Sequence, residues 1–133
     1  MTEDATRHLH QLMPLASLLG FTVERWEPES VQISVAWKQE LCTAGDVLHG
    51  GVIMALADTA GASCAFLNLP AGAGTTTVES KTNFLRALRH GKAVAVSAPV
   101  HVGRSLIVVE TEVRDSNERL AAKVTQSQMV LLR

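Results

Sequence analysis

The stretch that decides the fold is Leu48-His49-Gly50-Gly51-Val52-Ile53-Met54-Ala55-Leu56-Ala57-Asp58-Thr59-Ala60, continuing through Gly61-Ala62-Ser63-Cys64-Ala65-Phe66-Leu67 to Leu69. From Val52 onward nearly every residue is small or apolar. At ~1.5 Å per residue, a helix from Gly50 to Leu67 spans about 27 Å and is apolar on every side, so protein has to wrap it. A membrane span is not expected: the run is at the short end of the ~17–25 residues needed to cross, and Asp58 in its middle costs at least ~2.5 kcal/mol in lipid. The alanines at 55, 57, 60, 62 and 65 permit close approach of a sheet.

That sheet is legible on both sides of the helix. Downstream the period changes to two, and Thr75–Leu85, Lys92–His101, Arg104–Asp115 and Arg119–Leu132 read as four antiparallel strands rich in Val, Thr and Ile. In the third of these Ile107, Val109, Thr111 and Val113 alternate with Val108, Glu110, Glu112 and Arg114, which predicts one buried face and one wet face. Upstream, Phe21–Trp26 and Val31–Trp37 alternate around the turn Glu27-Pro28-Glu29-Ser30 and predict a hairpin. Leu9, Leu12, Met13, Leu15, Leu18 and Leu19 recur near helical spacing and stop at Gly20, predicting a short N-terminal amphipathic helix despite Pro14. The fold class is therefore α+β: one domain over residues 1–133, with a long central helix held in the curve of an antiparallel sheet of about six strands.

Composition narrows the function classes. Hydrophobic residues make up 47% of the 133, enough for a folded core and too many for a disordered chain. Twelve Lys and Arg against thirteen Asp and Glu leave a net charge of −1, so no global positive field exists to hold a nucleic acid. Glu3, Asp4, Arg7, His8 and His10 precede the first apolar run, which is not the order of a secretory signal, and a cytoplasmic protein is expected. Cys42 and Cys64 lack a CxxC pair or a His-rich cluster and read as reduced and unmetallated. His8 and His10, two apart on a helix, do not share a face, so no metal site is expected.

Asp58 asks for a reason, because a buried carboxylate costs several kcal/mol unless paired. It either bonds a neighbouring side chain or is catalytic. The second reading has support nearby: glycines at a helix start leave backbone N–H groups bare, and the helix dipole adds positive potential, so His49-Gly50-Gly51 makes a terminus able to hold an oxyanion. Gly50 and Asp58 stand about 12 Å apart along one straight helix and cannot both touch one carbonyl carbon. Two antiparallel helices across a two-fold axis can bring them together, which predicts at least a dimer with two composite sites.

The segment Leu48–Ala60, followed by Thr77-Val78-Glu79, Asn83-Phe84-Leu85-Arg86 and Gly103-Arg104, closely resembles the hotdog-fold acyl-CoA thioesterases of the phenylacetic acid degradation (PaaI-like) type. The resemblance runs from about Leu41 to the end of the chain. It implies a hotdog fold and hydrolysis of an aryl- or medium-chain acyl-CoA to free acid and coenzyme A, without metal or redox cofactor. It also implies a homodimer, with pairing of two dimers into a tetramer expected. In that resemblance Gly50 N–H polarises the thioester carbonyl, Asp58 of the opposing subunit attacks it or activates water, and His49 orients the turn shared with Gly51. Thr77 falls where some members place a hydroxyl that positions the water, and Asn83 lies on the same strand. Thr43 stands where many relatives carry Asn or Gln, a departure that shortens the reach of the side chain. Lys81, Arg86, Arg89, His90, Lys92 and Arg104 are candidates for the coenzyme A phosphates, Arg104 foremost because it follows Gly103. Phe84, Leu56 and Ala62 are candidates for lining the acyl group.

Three other readings compete. An enoyl-CoA hydratase would use Asp46 and His49 as acid and base. Cys42 with His49 would make a nucleophile pair. A non-catalytic hotdog dimer would hold acyl-CoA without cleaving it, although a pure binder gains nothing from a buried carboxylate.

Overall fold

The computed structural model describes residues 2–132. The helix predicted from Gly50 forms as α3 (Gly50–Leu67), bounded by His49 in extended conformation before it and Asn68 after it. The N-terminal helix is two: α1 (Thr2–Leu12) and α2 (Pro14–Leu19) meet at the extended Met13, with Pro14 opening the second. A proline lacks the N–H an unbroken helix would use there and fits the first turn of a new one. Gly20, at φ 74°, closes α2 in the left-handed conformation. The pair is tied to the sheet by His10 Nε2 donating to the Phe21 carbonyl at 2.6 Å and by Val23 N–H donating to Thr6 Oγ1 at 2.9 Å.

The predicted strands all form: β1 (Thr22–Glu27), β2 (Ser30–Ala36), β3 (Gly74–Phe84), β4 (Lys92–Val102), β5 (Leu106–Arg114) and β6 (Leu120–Leu131). They make one antiparallel sheet in the order β1-β2-β4-β5-β6-β3. β3 follows α3 in sequence yet pairs with β6, so the helix crosses the sheet between β2 and its far edge. Ile107, Val109, Thr111 and Val113 face inward as their alternation predicts, all fully buried.

α3 lies across the inward face of that sheet, and its small residues explain the closeness. Ala57, Ala60 and Cys64, at helical spacing, are fully buried against the strands. The expectation that protein wraps the helix on every side is met on one side only. Nine of its eighteen residues are buried, while Met54 and Phe66 are exposed at 39% and 49%. The row Met54, Asp58, Ala62, Phe66 repeats every four residues and forms one face. By length and composition α3 would pass as a membrane span, but here it is the core helix.

A bulge in β3 sets which of its side chains meet α3. The register with β6 shifts between Thr77 and Glu79, and one extra residue moves everything after it to the opposite face. Thr75 and Thr77 point to the helix side before the bulge. Ser80, Thr82 and Phe84 do so after it, leaving Lys81 and Asn83 on the outer face.

Candidate active site

Two hollows lie along the open side of α3, one at each end of the predicted chemistry. The first, of about 340 Å³, is lined by Thr43, Gly50, Ile53, Phe84, Arg86 and Leu88 among others. The turn into α3 is pinned there by His49 N–H donating to the Leu41 carbonyl at 2.9 Å and Leu48 N–H donating to Leu88 at 2.8 Å. His49 then caps its own helix: Nδ1 accepts the Gly51 N–H at 2.7 Å, and the His49 carbonyl accepts from Val52 and Ile53. This bond requires Nδ1 to be unprotonated, which puts the ring proton on Nε2. It also corrects the expectation that both glycines present bare donors. Gly51 N–H is spent on the cap, and Gly50 N–H is the one without an acceptor among the described residues. A side chain at Gly50 would lie 3.2 Å from the Phe84 ring, so the glycine leaves room both for that ring and for a ligand atom reaching the N–H.

The second hollow, of about 280 Å³, is lined by Met54, Ala55, Asp58, Thr77 and Ser80. Asp58 projects from α3 and is held by two donors on one oxygen: Thr77 Oγ1 to Oδ1 at 2.8 Å and Gln126 Nε2 to Oδ1 at 3.0 Å. Oδ2 has no partner among the described residues. Thr77 in turn accepts from the Gln128 amide nitrogen, and the Thr75 hydroxyl stands between Gln128 Oε1 at 3.1 Å and the Met129 carbonyl at 3.0 Å. A third, mostly apolar cavity of about 320 Å³ adjoins this end of the helix, between Leu9, Leu12 and Met13 of the N-terminal segment and Trp26, Ala62, Ser63, Phe66 and Thr75.

The structure thus groups Asp58 with Thr77, and Gly50 with His49, Thr43, Phe84 and Arg86, as two separate clusters. Other predicted residues stand elsewhere. Lys81 and Asn83 are turned to the outer face by the β3 bulge, where Lys81 Nζ donates to Asn83 Oδ1 at 3.2 Å. Gly103 and Arg104 occupy the β4–β5 turn, closed by Gly103 N–H donating to Leu106 at 2.8 Å. Register puts that turn far from Arg86: Leu106 pairs through Met129 with Thr76, whereas Phe84 pairs through Ala122 with Val113. Among the other cations, Lys92 is paired with Glu24 at 2.9 Å and Arg89 Nη1 donates to the Gly45 carbonyl at 3.1 Å. The side chains of Arg86 and Arg104 make no polar contact among the described residues. Leu56 is fully buried on the sheet side of α3 and lines none of these three hollows, whereas Ala62 and Phe84 do.

The competing pairs do not assemble. His49 bonds Gly51 rather than Asp46, and Cys42 Sγ donates to the Lys38 carbonyl at 3.3 Å. Burial, then the charges of Asp46 and Glu40, push the Cys42 thiol up, which is the reverse of an activated nucleophile.

Gln126 and Gln128 are the site residues that sequence reasoning missed. Their signal was present: Ala122, Val124, Gln126, Gln128 and Val130 occupy one face of β6, and two amides there interrupt an otherwise apolar row.

Residues 45–122 match the sequence profile of the thioesterase superfamily. A Saccharolobus solfataricus protein provisionally named an esterase is 33% identical over 133 residues, covering 97% of this chain and 94% of that protein. The crystal structure of a Haemophilus influenzae thioesterase superposes with a TM-score of 0.90 at 25% identity, covering 98% of this chain and 90% of that one. A thioesterase family protein from Silicibacter pomeroyi superposes equally well, at 0.90 and 24% identity over the whole of both chains.

Proposed function

Because the chain belongs to the thioesterase superfamily, has the hotdog fold and is a thioester hydrolase, we propose that it cleaves aryl- or medium-chain acyl-CoA esters to free acid and coenzyme A. The observation that carries this reading is Asp58: a carboxylate with one oxygen anchored by two donors and the other open to a hollow on the exposed face of the core helix. In a dimer with antiparallel α3 helices, the Gly50 N–H of one subunit meets the thioester carbonyl that Asp58 of the other approaches. Gly50 stabilises the oxyanion as a water deprotonated by Oδ2 adds to the carbonyl carbon, or as Oδ2 itself adds and the resulting mixed anhydride is then hydrolysed by water. In either route water supplies the proton that the departing sulfur takes up. The carbon–sulfur bond breaks, and the departing sulfur takes up a proton to leave as the thiol.

Several features support the finer parts of this proposal. The Met54–Phe66 face is apolar and open, as an interface with a second copy requires, and the 11-residue β3 is an open sheet edge beside it. The cavity beneath α1, with Leu9, Leu12, Met13, Trp26 and Phe66 on its walls, suits an apolar acyl group one helical turn beyond Asp58. Arg86 and Arg104, both exposed, are at opposite ends of one subunit and come toward a shared site only across the two-fold, where they would meet coenzyme A phosphates. Pairing of dimers into a tetramer belongs to the same proposal. So does a cytoplasmic setting, which the free thiols of Cys42 and Cys64 suit.

The test is thiol release from a panel of aryl- and alkyl-CoA esters by the parent and Asp58→Asn. Turnover by the parent and a loss of about 100-fold in the variant, roughly 2.7 kcal/mol of transition-state stabilisation, support the proposal. Equal rates for the two proteins, or no thiol release from any ester, refute it.

A further inference from the structure

We propose that Gln126 and Gln128 are positioning residues for hydrolysis: Gln126 directly and Gln128 through Thr77 hold one oxygen of Asp58, so that only the other is offered to substrate. This rests on the reading of Asp58 as the hydrolytic carboxylate.

Both glutamines are fully buried, on a sheet face otherwise built for an apolar core. A primary amide there costs several kcal/mol unless its groups are paired, and the pairing has a direction. Gln128 Oε1 lies 3.1 Å from the Thr75 hydroxyl, whose one proton is shared with the Met129 carbonyl at 3.0 Å, and the amide nitrogen faces Thr77. With Gln128 donating into Thr77 Oγ1, the single hydroxyl proton of Thr77 is left to donate to Asp58. Gln128 and Thr77 are thus successive donors, the first orienting the second, in a row that ends on Oδ1.

Gln126 adds the second donor to the same atom at 3.0 Å. Its own Oε1 is buried with no hydrogen-bond partner, and the amide lies so close to α3 that a Cβ on Gly61 would stand 2.1 Å from that oxygen. Folding alone gives no reason for this arrangement, since an apolar side chain of similar size would remove an unpaired buried carbonyl. The amide nitrogen facing Asp58 does. Gly61, one turn beyond Asp58, is small because this amide has to pass it.

The experiment compares steady-state thiol release and thermal unfolding for Gln126→Met, Gln128→Met, Gln128→Glu and Gly61→Ala. Gln126→Met is expected to lower kcat about tenfold or more with KM nearly unchanged, the pattern of a residue that acts on the chemical step rather than on substrate binding, while its melting temperature holds or rises. Gly61→Ala reads the same contact from the helix side, so it is expected to reproduce that loss and add nothing to Gln126→Met. Should Gln126→Met not fold, Gly61→Ala carries this arm. Gln128→Glu presents an acceptor to Thr77 and draws its proton away from Asp58, so it is expected to lose more than Gln128→Met. In a Thr77→Val background Gln128→Met should have no further effect on kcat.

An active parent with Gln126→Met and Gln128→Glu within about twofold of it overturns the proposal while leaving the hydrolase reading intact. So does a fall in kcat that merely follows a fall in melting temperature, or a Gln128→Met effect that persists without the Thr77 hydroxyl. A parent that releases no thiol from any ester fails the hydrolase reading itself and takes this proposal with it.

Discussion

Replacing Gly50 by proline removes one hydrogen-bond donor and adds a ring whose Cβ meets Phe84 at 3.2 Å. Gly50 is the first residue of α3, the one helical position at which proline is welcome because its N–H has no intrahelical acceptor. The residue before a proline has to be extended, and His49 already is, at φ −61° and ψ 133°. The His49 cap uses Gly51 N–H and is untouched. What disappears is the bare Gly50 N–H, and under the proposed mechanism its loss as an oxyanion donor lowers kcat about 10²–10³-fold, roughly 2.7–4 kcal/mol.

Gly50→Ala is the control for bulk. Its Cβ meets the Phe84 ring at 3.2 Å, a contact that a half-exposed ring can relieve by a small shift, and it keeps the N–H. Both variants should melt within a few degrees of the parent, while thiol release falls much further in Gly50→Pro than in Gly50→Ala. A proline variant that matches the alanine variant to within about threefold would falsify the assignment of Gly50 N–H as the oxyanion donor.

Met54→Lys places a charge on the open face of α3 beside Asp58; light scattering should show a monomer and thiol release should vanish, whereas an active dimer would show that this face is not the interface. The Cys64 thiol, buried and pushed up to about 11 by desolvation, should resist disulfide reagents at neutral pH until the protein unfolds; labelling of Cys64 in the native protein would show that the core opens locally. Asp115 holds the β5–β6 turn by accepting from Asn117 N–H, Arg119 N–H and Arg119 Nε, and these contacts, the Arg119 backbone N–H foremost, hold its carboxyl below the ordinary aspartate value of 3.8. Its contribution to stability is therefore present above that value and lost as pH falls through the lower folded value. The melting-temperature gap between the parent and Asp115→Asn should close in that acid range, and a gap independent of pH would contradict the assignment.

What was legible beforehand follows from how local each signal is. The bounds of α3 come from glycines at one end and the end of an apolar run at the other, and the six strands from alternation and turn residues, all within a few positions of one another. Asp58 was visible as a charge in the wrong place for a core helix. The break at Met13 was visible as Pro14, although a continuous amphipathic spacing concealed that it makes two helices.

Other features depended on contacts between distant segments. Pairing of β3 with β6 rather than with its successor β4 is decided by which hydrogen bonds close around the helix, and periodicity carries no record of partners. The bulge between Thr77 and Glu79 adds one residue to the phase, so the same strand aims Thr77 inward and Asn83 outward, and an alternation read straight through puts them on the same face. Gln126 and Gln128 looked like ordinary polar strand residues; only the approach of α3, close enough that a Cβ at position 61 would stand 2.1 Å from the Gln126 amide oxygen, turned them toward Asp58 and Thr77. The sequence by itself determined the elements and the carboxylate, because propensity and period act through neighbours in the chain. The tertiary structure alone decided which amides and hydroxyls reach that carboxylate and which single N–H is left bare, because those are set by the packing of segments tens of residues apart.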